Sequence, residues 1–186
     1  MRVIAGVARG VPLVAPPGRG TRPTSDRTKE AIFSILGELG CEGSVLDLFA
    51  GSGALGIEAL SRGASSCDFV ESAPAACRAI DANLIKTKLG AGTRVYQQPV
   101  ARFVEGAARN GHGPYDLILV DPPYAMPDLD AVLRALADSP LVGPRTVLLV
   151  EHSRRRSLPP ALGRLQLVKV RQHGDSACSL YLPEAA

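Results

Sequence analysis

Residues 121–124 read Asp-Pro-Pro-Tyr, a tetrapeptide whose side chains could bind an amino group. Two successive prolines stiffen the backbone and supply no N–H, so the turn offers carbonyl oxygens and the Asp121 carboxylate. An exocyclic amine donates two hydrogens and suits such acceptors, and the Tyr124 ring offers a face on which a base could stack. The pattern indicates chemistry on the amine of a nucleobase, although a plain Pro-Pro turn after a strand would contain the same prolines.

A second candidate site lies at residues 45–56, VLDLFAGSGALG. An apolar strand, three glycines and a helical pattern follow one another there, which is typical of a nucleotide or cofactor cradle at a helix N-terminus. The spacing fits a dinucleotide fingerprint, and Glu71, twenty residues after Gly51, suits the ribose hydroxyls of NAD or of S-adenosylmethionine. Asp47 favours the second cofactor, because a carboxylate would repel a pyrophosphate and attract a sulfonium and an amino group.

These two sites need a scaffold, and the chain between them has the pattern of a doubly wound, mostly parallel α/β sheet. Strands are expected at 45–49, 67–71, 94–98, 115–120 and 146–152, with an antiparallel closing pair at 165–171 and 178–182. Helices are expected within 21–40, from 54 to about 62, and at 73–89, 99–109 and 128–137. Ligands of such sheets bind beyond the carboxyl ends of the strands, where the glycine turn, Glu71 and the Asp121 turn all fall.

Length and charge suggest one domain of 186 residues with a small appendage and a basic surface at both ends. Residues 1–40 hold six Lys/Arg against three Asp/Glu, residues 151–186 again hold six against three, and the middle holds nine against twelve. Such ends suit a polyanion such as RNA, although a scattered solvated surface would give the same counts.

Residues 1–20 are rich in Gly, Pro and Arg and are expected to form a β-hairpin or irregular arm that leans on the main domain, residues 21–186, or on a partner. The pattern of residues 1–10 is not that of a secretion signal, and we expect no membrane-spanning run. Its four cysteines are scattered and its three histidines lack ligand spacing. We therefore expect a cytoplasmic protein with reduced thiols and no metal.

The motifs together resemble one family over nearly the whole chain. MRVIAG, RPTSDRTKEAIF, LDLFAGSGALGIEALSRGA, DPPY and GDSACSLY occur in the order found in the RsmD-type guanine-N2 methyltransferases of small-subunit ribosomal RNA. The resemblance implies a Rossmann-like fold, S-adenosylmethionine as cofactor, and N2-methylguanosine in 16S ribosomal RNA as product. The RNA would be presented within a 30S subunit or an assembly intermediate, and we expect the enzyme to be a monomer.

The site residues follow from the motifs and the resemblance together. The expected catalytic residues are Asp121, Pro122 and Tyr124. The expected cofactor contacts are Asp47, Phe49, Gly51, Ser52, Gly53, Glu71, Gln98 and Asp121. The expected RNA contacts are Arg2, Arg9, Arg19, Arg22, Arg27 and Tyr124. The resemblance further implies that Asp26 and Glu30 help to close the pocket.

One position departs from the family pattern, and several alternative functions stay open. Members often carry Asp or Asn where Pro99 stands, so Gln98 or a backbone carbonyl is expected to meet the adenine. The run Arg154-Arg155-Arg156 is richer in charge than the resemblance requires and could be a solvated loop. The alternatives are an adenine-N6 methyltransferase of DNA or RNA, a NAD-linked oxidoreductase, and an RNA-binding module without catalysis.

Overall fold

The computed structural model describes residues 1–16 and 26–184. The strands are β1 (Gly43–Leu48), β2 (Ala64–Glu71), β3 (Thr93–Gln97), β4 (Tyr115–Val120), β5 (Val142–Ser153), β6 (Ala161–Leu162), β7 (Leu165–His173) and β8 (Ser176–Pro183). The helices are α1 (Asp26–Leu36), followed by a 3-10 turn at Gly37–Leu39, α2 (Ala54–Ser61), α3 (Pro74–Thr87), α4 (Val100–Asn110) and α5 (Leu129–Ala137).

The described strands form one eight-stranded sheet in the order β3-β2-β1-β4-β5-β8-β7-β6. The first five are parallel to one another, and β8, β7 and β6 are antiparallel to their neighbours. The expected doubly wound sheet with an antiparallel closing segment is therefore confirmed. The strand order reverses between β1 and β4, and ligands of such sheets bind in the crevice at this switch point.

Two apolar layers cover the sheet. Side chains of α1, α2 and α3 form one core with one face of the strands, and those of α4 and α5 form a second core with the other face. The parallel strands β1 and β4 are buried on both faces, which explains their continuous apolar runs. Within the described residues, no helix is long and apolar enough to cross a membrane.

Several boundaries differ from expectation. Strand β5 begins at Val142 instead of residue 146, and its early part includes an exposed proline that obscured the pattern. The short strand β6 was not expected, since two residues carry no periodicity. The Arg154–Arg156 run is only partly a solvated loop, because Arg156 donates to the Met126 carbonyl at 2.7 Å and to Asp130 at 2.9 Å.

The first 16 residues pack against the helical layer of α1–α3 and contribute to its core. Val3 is 1% exposed and Leu13 is also buried. An isolated antiparallel bridge joins Arg2 to Pro12, so the described part of the arm is mainly irregular.

A buried carboxylate anchors this arm. Glu58 of α2 accepts the amide hydrogens of Ile4 at 2.8 Å and Ala5 at 3.0 Å. The same carboxylate pairs with Lys29 at 3.4 Å and with Arg62 at 2.9 Å. Lys29 also donates to the Arg2 carbonyl, and burial lowers the pKa of its ammonium group although Glu58 opposes that shift.

Candidate active site

The glycine turn between β1 and α2 has the left-handed backbone that its sequence requires. Gly51 and Gly53 have φ of 55° and 75°, and Gly53 is the N-terminal cap of α2. Phe49 has φ of 59° without being glycine, a conformation that costs about 1–3 kcal/mol and tends to occur at functional sites. Strand β1 therefore ends at Leu48, one residue earlier than expected, and the backbone turns at Phe49, whose side chain lines a pocket.

Asp47 lies beneath this turn and is 1% exposed. Its Oδ2 accepts the amide hydrogen of Gly56 at 2.9 Å, so the carboxylate holds the first turn of α2 against β1. Burial raises the pKa of Asp47 well above its usual range, the Gly56 amide opposes the shift, and the charges of Asp121 and Glu71 add to it. Three expected site acids are therefore close enough to interact at the ends of β1, β2 and β4.

Glu71, the last residue of β2, lies across from the turn. Its Oε2 accepts the Gly51 amide hydrogen at 2.9 Å, and its Oε1 accepts that of Ala73 at 2.8 Å. The Glu71 carbonyl accepts the Gln98 amide hydrogen at 3.0 Å. Through these bonds, Glu71 contacts both Gln98 and the glycine turn.

A pocket with a volume of about 270 Å³ opens beside Phe49 and Glu71. This volume is close to the lower end of the range for small-molecule sites. Pro99, where the resemblance led us to expect Asp or Asn, forms part of its wall. Its lining includes Phe49, Glu71, Ser72, Pro99, Val100 and Met126.

Ser52 is held from two sides. Its hydroxyl contacts the Met1 sulfur at 3.7 Å. Its carbonyl accepts a hydrogen from the Asn83 amide at 2.9 Å, and the same Asn83 side chain bonds both the N–H and the C=O of Val14. The arm is thereby connected to the glycine turn through Asn83, which is fully buried.

The Asp121 turn follows β4 immediately. The Asp121 amide donates to the Leu48 carbonyl at 3.4 Å, so the turn is joined to the strand that continues into Phe49. Pro122 is buried, and the Met126 amide closes the segment onto the Pro123 carbonyl at 3.0 Å. The acceptor turn and the glycine turn thus lie on adjacent strands at the switch point of the sheet.

Tyr124 is 43% exposed, yet its hydroxyl is anchored. The hydroxyl donates to Oε1 of Glu151 at 3.2 Å and forms a second hydrogen bond with Ser176. Burial is the main cause that raises the pKa of Tyr124, and the Glu151 charge adds to the shift while the Ser176 hydrogen bond opposes it. Part of the Tyr124 side chain is therefore exposed to solvent, while its hydroxyl end is held by hydrogen bonds.

The expected RNA contacts are partly within the described residues. Arg9 and Arg27 are exposed, while Arg2 pairs with Asp26 at 3.3 Å. Arg19 and Arg22 lie outside the described residues. Within residues 1–16 and 26–184, no group of three or more His, Cys, Asp or Glu could hold a metal ion.

Sequence reasoning missed five buried polar residues that support the site or the arm packed beside it. The available signal was a polar side chain inside an apolar pattern, such as the glutamate in TVLLVEH at 146–152. The partners of these side chains lie 27 to 69 residues away in the chain, so local sequence does not reveal them. The missed residues are Lys29, Glu58, Asn83, Glu151 and Ser176.

Comparison with known proteins gives a consistent family. The model of the family described as Conserved hypothetical protein 95 matches residues 1–182. "Putative rRNA methyltransferase YlbH" of Bacillus subtilis is 37% identical over 181 residues, covering 97% of this chain and 98% of that protein. "Ribosomal RNA small subunit methyltransferase D" of Escherichia coli is 34% identical over 185 residues, covering 100% of this chain and 91% of that protein.

Solved structures agree with the sequence comparison. "Putative methyltransferase yhhF" from Escherichia coli superposes with a TM-score of 0.84 at 31% identity, covering 100% of this chain and 99% of that one. A more distant structure, "SMU.776, a putative methyltransferase complexed with SAH", has a TM-score of 0.70 at 15% identity, covers 88% of this chain and 50% of that one, and shows the shared fold alone. The chain therefore belongs to the Conserved hypothetical protein 95 family, the RsmD-type methyltransferases that its motifs resemble.

Proposed function

We propose that this chain transfers the methyl group of S-adenosylmethionine to the exocyclic N2 of a guanine in 16S ribosomal RNA, within a 30S subunit or an assembly intermediate. The names of the Bacillus subtilis and Escherichia coli relatives support an rRNA substrate. The observation that carries the proposal is the 3.4 Å bond from the Asp121 amide to the Leu48 carbonyl. This bond joins an acceptor-only turn to the strand that leads into the glycine turn.

The charges at the strand ends support S-adenosylmethionine over NAD. Burial is the main cause that raises the pKa of Asp47, and repulsion by the charges of Asp121 and Glu71 adds to it. A sulfonium and an ammonium group would relieve this repulsion, whereas a pyrophosphate would increase it. A protein of this fold was crystallised with SAH, the product of methyl transfer from this cofactor.

Glu71 can take the ribose while it holds the turn. Its Oε2 accepts the Gly51 amide hydrogen and keeps a second lone pair for a ribose hydroxyl, while its Oε1 accepts the Ala73 amide hydrogen and the Ser72 hydroxyl. Phe49 and Pro99 would supply apolar walls for the adenine, with Gln98 next to them. Asp47 would act indirectly, because it fixes the glycine turn through the Gly56 amide and its carboxylate would attract the cationic methionine end of the cofactor.

The guanine would leave its RNA stack before reaction, at a cost of a few kcal/mol, because its N2 cannot otherwise reach the cofactor. Asp121 and the Pro122 carbonyl would accept the two N2 hydrogens and aim the nitrogen lone pair at the methyl carbon, while Tyr124 stacks on the ring. The N–C bond would form as the S–C bond breaks, the bonding electrons would stay on sulfur, and the Asp121 carboxylate would take the proton that N2 loses. Orientation and placed charge supply most of the rate enhancement.

RNA phosphates would bind the basic surface of residues 1–20 and of α1. Arg9 and Arg27 are exposed there, and Arg2 keeps 67% of its side chain exposed although it pairs with Asp26. Val3 and Leu13 belong to the core, so deleting residues 1–20 would remove core packing as well as charge. We propose that this arm acts on RNA as part of a monomer.

The test is to incubate the purified protein with S-adenosylmethionine and 30S subunits, or naked 16S RNA, that lack the modification. Mass spectrometry of the digested nucleosides should find N2-methylguanosine, and titration calorimetry should show binding of S-adenosylmethionine and none of NADH. Finding N6-methyladenosine would instead indicate the adenine alternative. Binding of NADH without any methylation would contradict the proposal.

A further inference from the structure

We propose that Glu151 and Ser176 are positioning residues that hold the Tyr124 ring in the orientation needed to stack on the target base. This inference rests on the proposed function, because it concerns how the target nucleobase is received. It assigns a role to two residues outside the expected site and to strands β5 and β8, which carry none of the expected site residues.

The first step is the placement of Glu151. Val120 of β4 pairs with Val150 of β5 in parallel register, so Asp121 and Glu151 follow side by side at the same edge of the sheet. Glu151 is 4% exposed. A carboxylate buried to this degree is expensive unless neighbouring groups satisfy it, and the Tyr124 hydroxyl is one of those groups.

The second step is the placement of Ser176. This residue begins β8, pairs in register with Ser153 of β5, and is buried. Its hydroxyl and Glu151 reach the Tyr124 hydroxyl together, so one hydrogen bond is donated by the tyrosine and the other accepted by it. Because the two partners lie on different strands, they hold the hydroxyl in place and restrict rotation about both side-chain torsions of Tyr124.

The third step is what this anchoring does for stacking. Tyr124 is half-exposed, and without this anchor it would lose its rotamer freedom only when the base arrives, at a cost to stacking. A ring that is already fixed binds without that loss. The anchor acts together with Pro122 and Pro123, which stiffen the backbone on the other side of the same ring.

The experiment is a double-mutant cycle on single-turnover methylation of 30S subunits, with saturating cofactor. Tyr124→Phe keeps the ring and removes the hydroxyl, and Ser176→Ala removes one partner. Each is expected to lower the rate about tenfold, the size of one hydrogen bond, while the Kd of S-adenosylmethionine stays unchanged. Ser176→Ala should have no further effect on the Tyr124→Phe enzyme.

Two further variants and one control sharpen the cycle. Glu151→Gln keeps an acceptor and should retain most of the rate, whereas Glu151→Ala should lower it. Ser179→Ala is the matched control, because Ser179 is a buried serine of the same strand that bonds His152 at 2.8 Å and does not touch Tyr124. It should leave the rate unchanged in both backgrounds.

Equal losses from Ser176→Ala in the wild-type and Tyr124→Phe backgrounds would overturn the inference, because the serine would then act independently of the tyrosine hydroxyl. If Tyr124→Ala is inactive while Tyr124→Phe is fully active, the ring matters and its hydroxyl does not. That result would overturn this inference but not the proposed function. A Tyr124→Ala enzyme with the wild-type rate would overturn the stacking role in the proposed function as well. These outcomes separate the two failures.

Discussion

Gly56 allows helix α2 to pack directly on strand β2, and the substitution Gly56→Ala tests this contact. A Cβ at Gly56 would lie 2.4 Å from Cε1 of Phe69 and 2.7 Å from Sγ of Cys67. Carbon atoms pack at about 3.5–4.0 Å, and both neighbours are 0% exposed. The helix would therefore have to move away from the strand by about 1 Å.

The magnitude follows from two opposing contributions. Overpacking of a buried site costs about 1–3 kcal/mol, and alanine is favoured over glycine in a helix by about 1 kcal/mol. The free energy of unfolding should fall by up to about 2 kcal/mol, and Tm by up to about 8 °C for a chain of this size. The affinity for S-adenosylmethionine should fall too, because Asp47 holds the amide of this residue.

The assay is thermal and urea unfolding together with calorimetric titration of the cofactor. Gly106→Ala is the matched control, since Gly106 is also a helix-interior glycine and its Cβ would meet only the flexible end of Asn110, at 3.0 Å. That variant should be neutral or stabilised by up to about 1 kcal/mol. A Gly56→Ala protein as stable as Gly106→Ala, with unchanged cofactor affinity, would refute the packing argument.

Three further predictions concern the buried ion pair, a thiol and the basic arm. Glu58→Gln leaves the ammonium of Lys29 buried without its counter-charge, so the free energy of unfolding in urea should fall by about 3–5 kcal/mol, whereas the exposed control Glu105→Gln should change it by less than about 0.5 kcal/mol. Equal effects of the two would contradict the pairing. Burial raises the pKa of the Cys41 thiol to about 11 from 9.0. Between these pH values the folded state keeps a proton that the unfolded state has lost, so the free energy of unfolding should fall as pH rises from 9 to 11. The fall should be less steep in Cys41→Ala, and identical slopes of unfolding free energy against pH would disprove this. Arg9→Gln should weaken RNA binding and reduce the slope of log affinity against log salt by about 0.7 per phosphate lost, and an unchanged slope would show that Arg9 contacts no phosphate.

The parts of the fold that could be predicted from sequence are those encoded by adjacent residues. The strand, glycine turn and helix at 43–61 were expected to within two residues, because a buried run, glycines and a helical period lie next to each other in the chain. The first four residues of β5 were missed, since an exposed proline interrupts the strand pattern. A two-residue strand such as β6 leaves no pattern at all.

The candidate site was predictable in its ligand-facing residues and not in its supports. Asp121 and Glu71 stand out at strand ends, where a polar residue after an apolar run marks the sheet edge. Glu151, Ser176 and Asn83 gain their roles from partners brought close by the fold, at separations of 27, 52 and 69 residues. No local pattern carries that information.

The substitution Asp121→Ala tests the central claim most directly, because it removes the side-chain acceptor proposed for the N2 hydrogens and leaves Pro122 and Pro123 in place. We would measure the single-turnover rate of methyl transfer to the 30S subunit at saturating S-adenosylmethionine, which removes any effect on cofactor affinity. The rate should fall by about 100-fold or more, as expected when a placed charge or acceptor is lost from the transition state. A variant that transfers the methyl group at the wild-type rate would contradict the account.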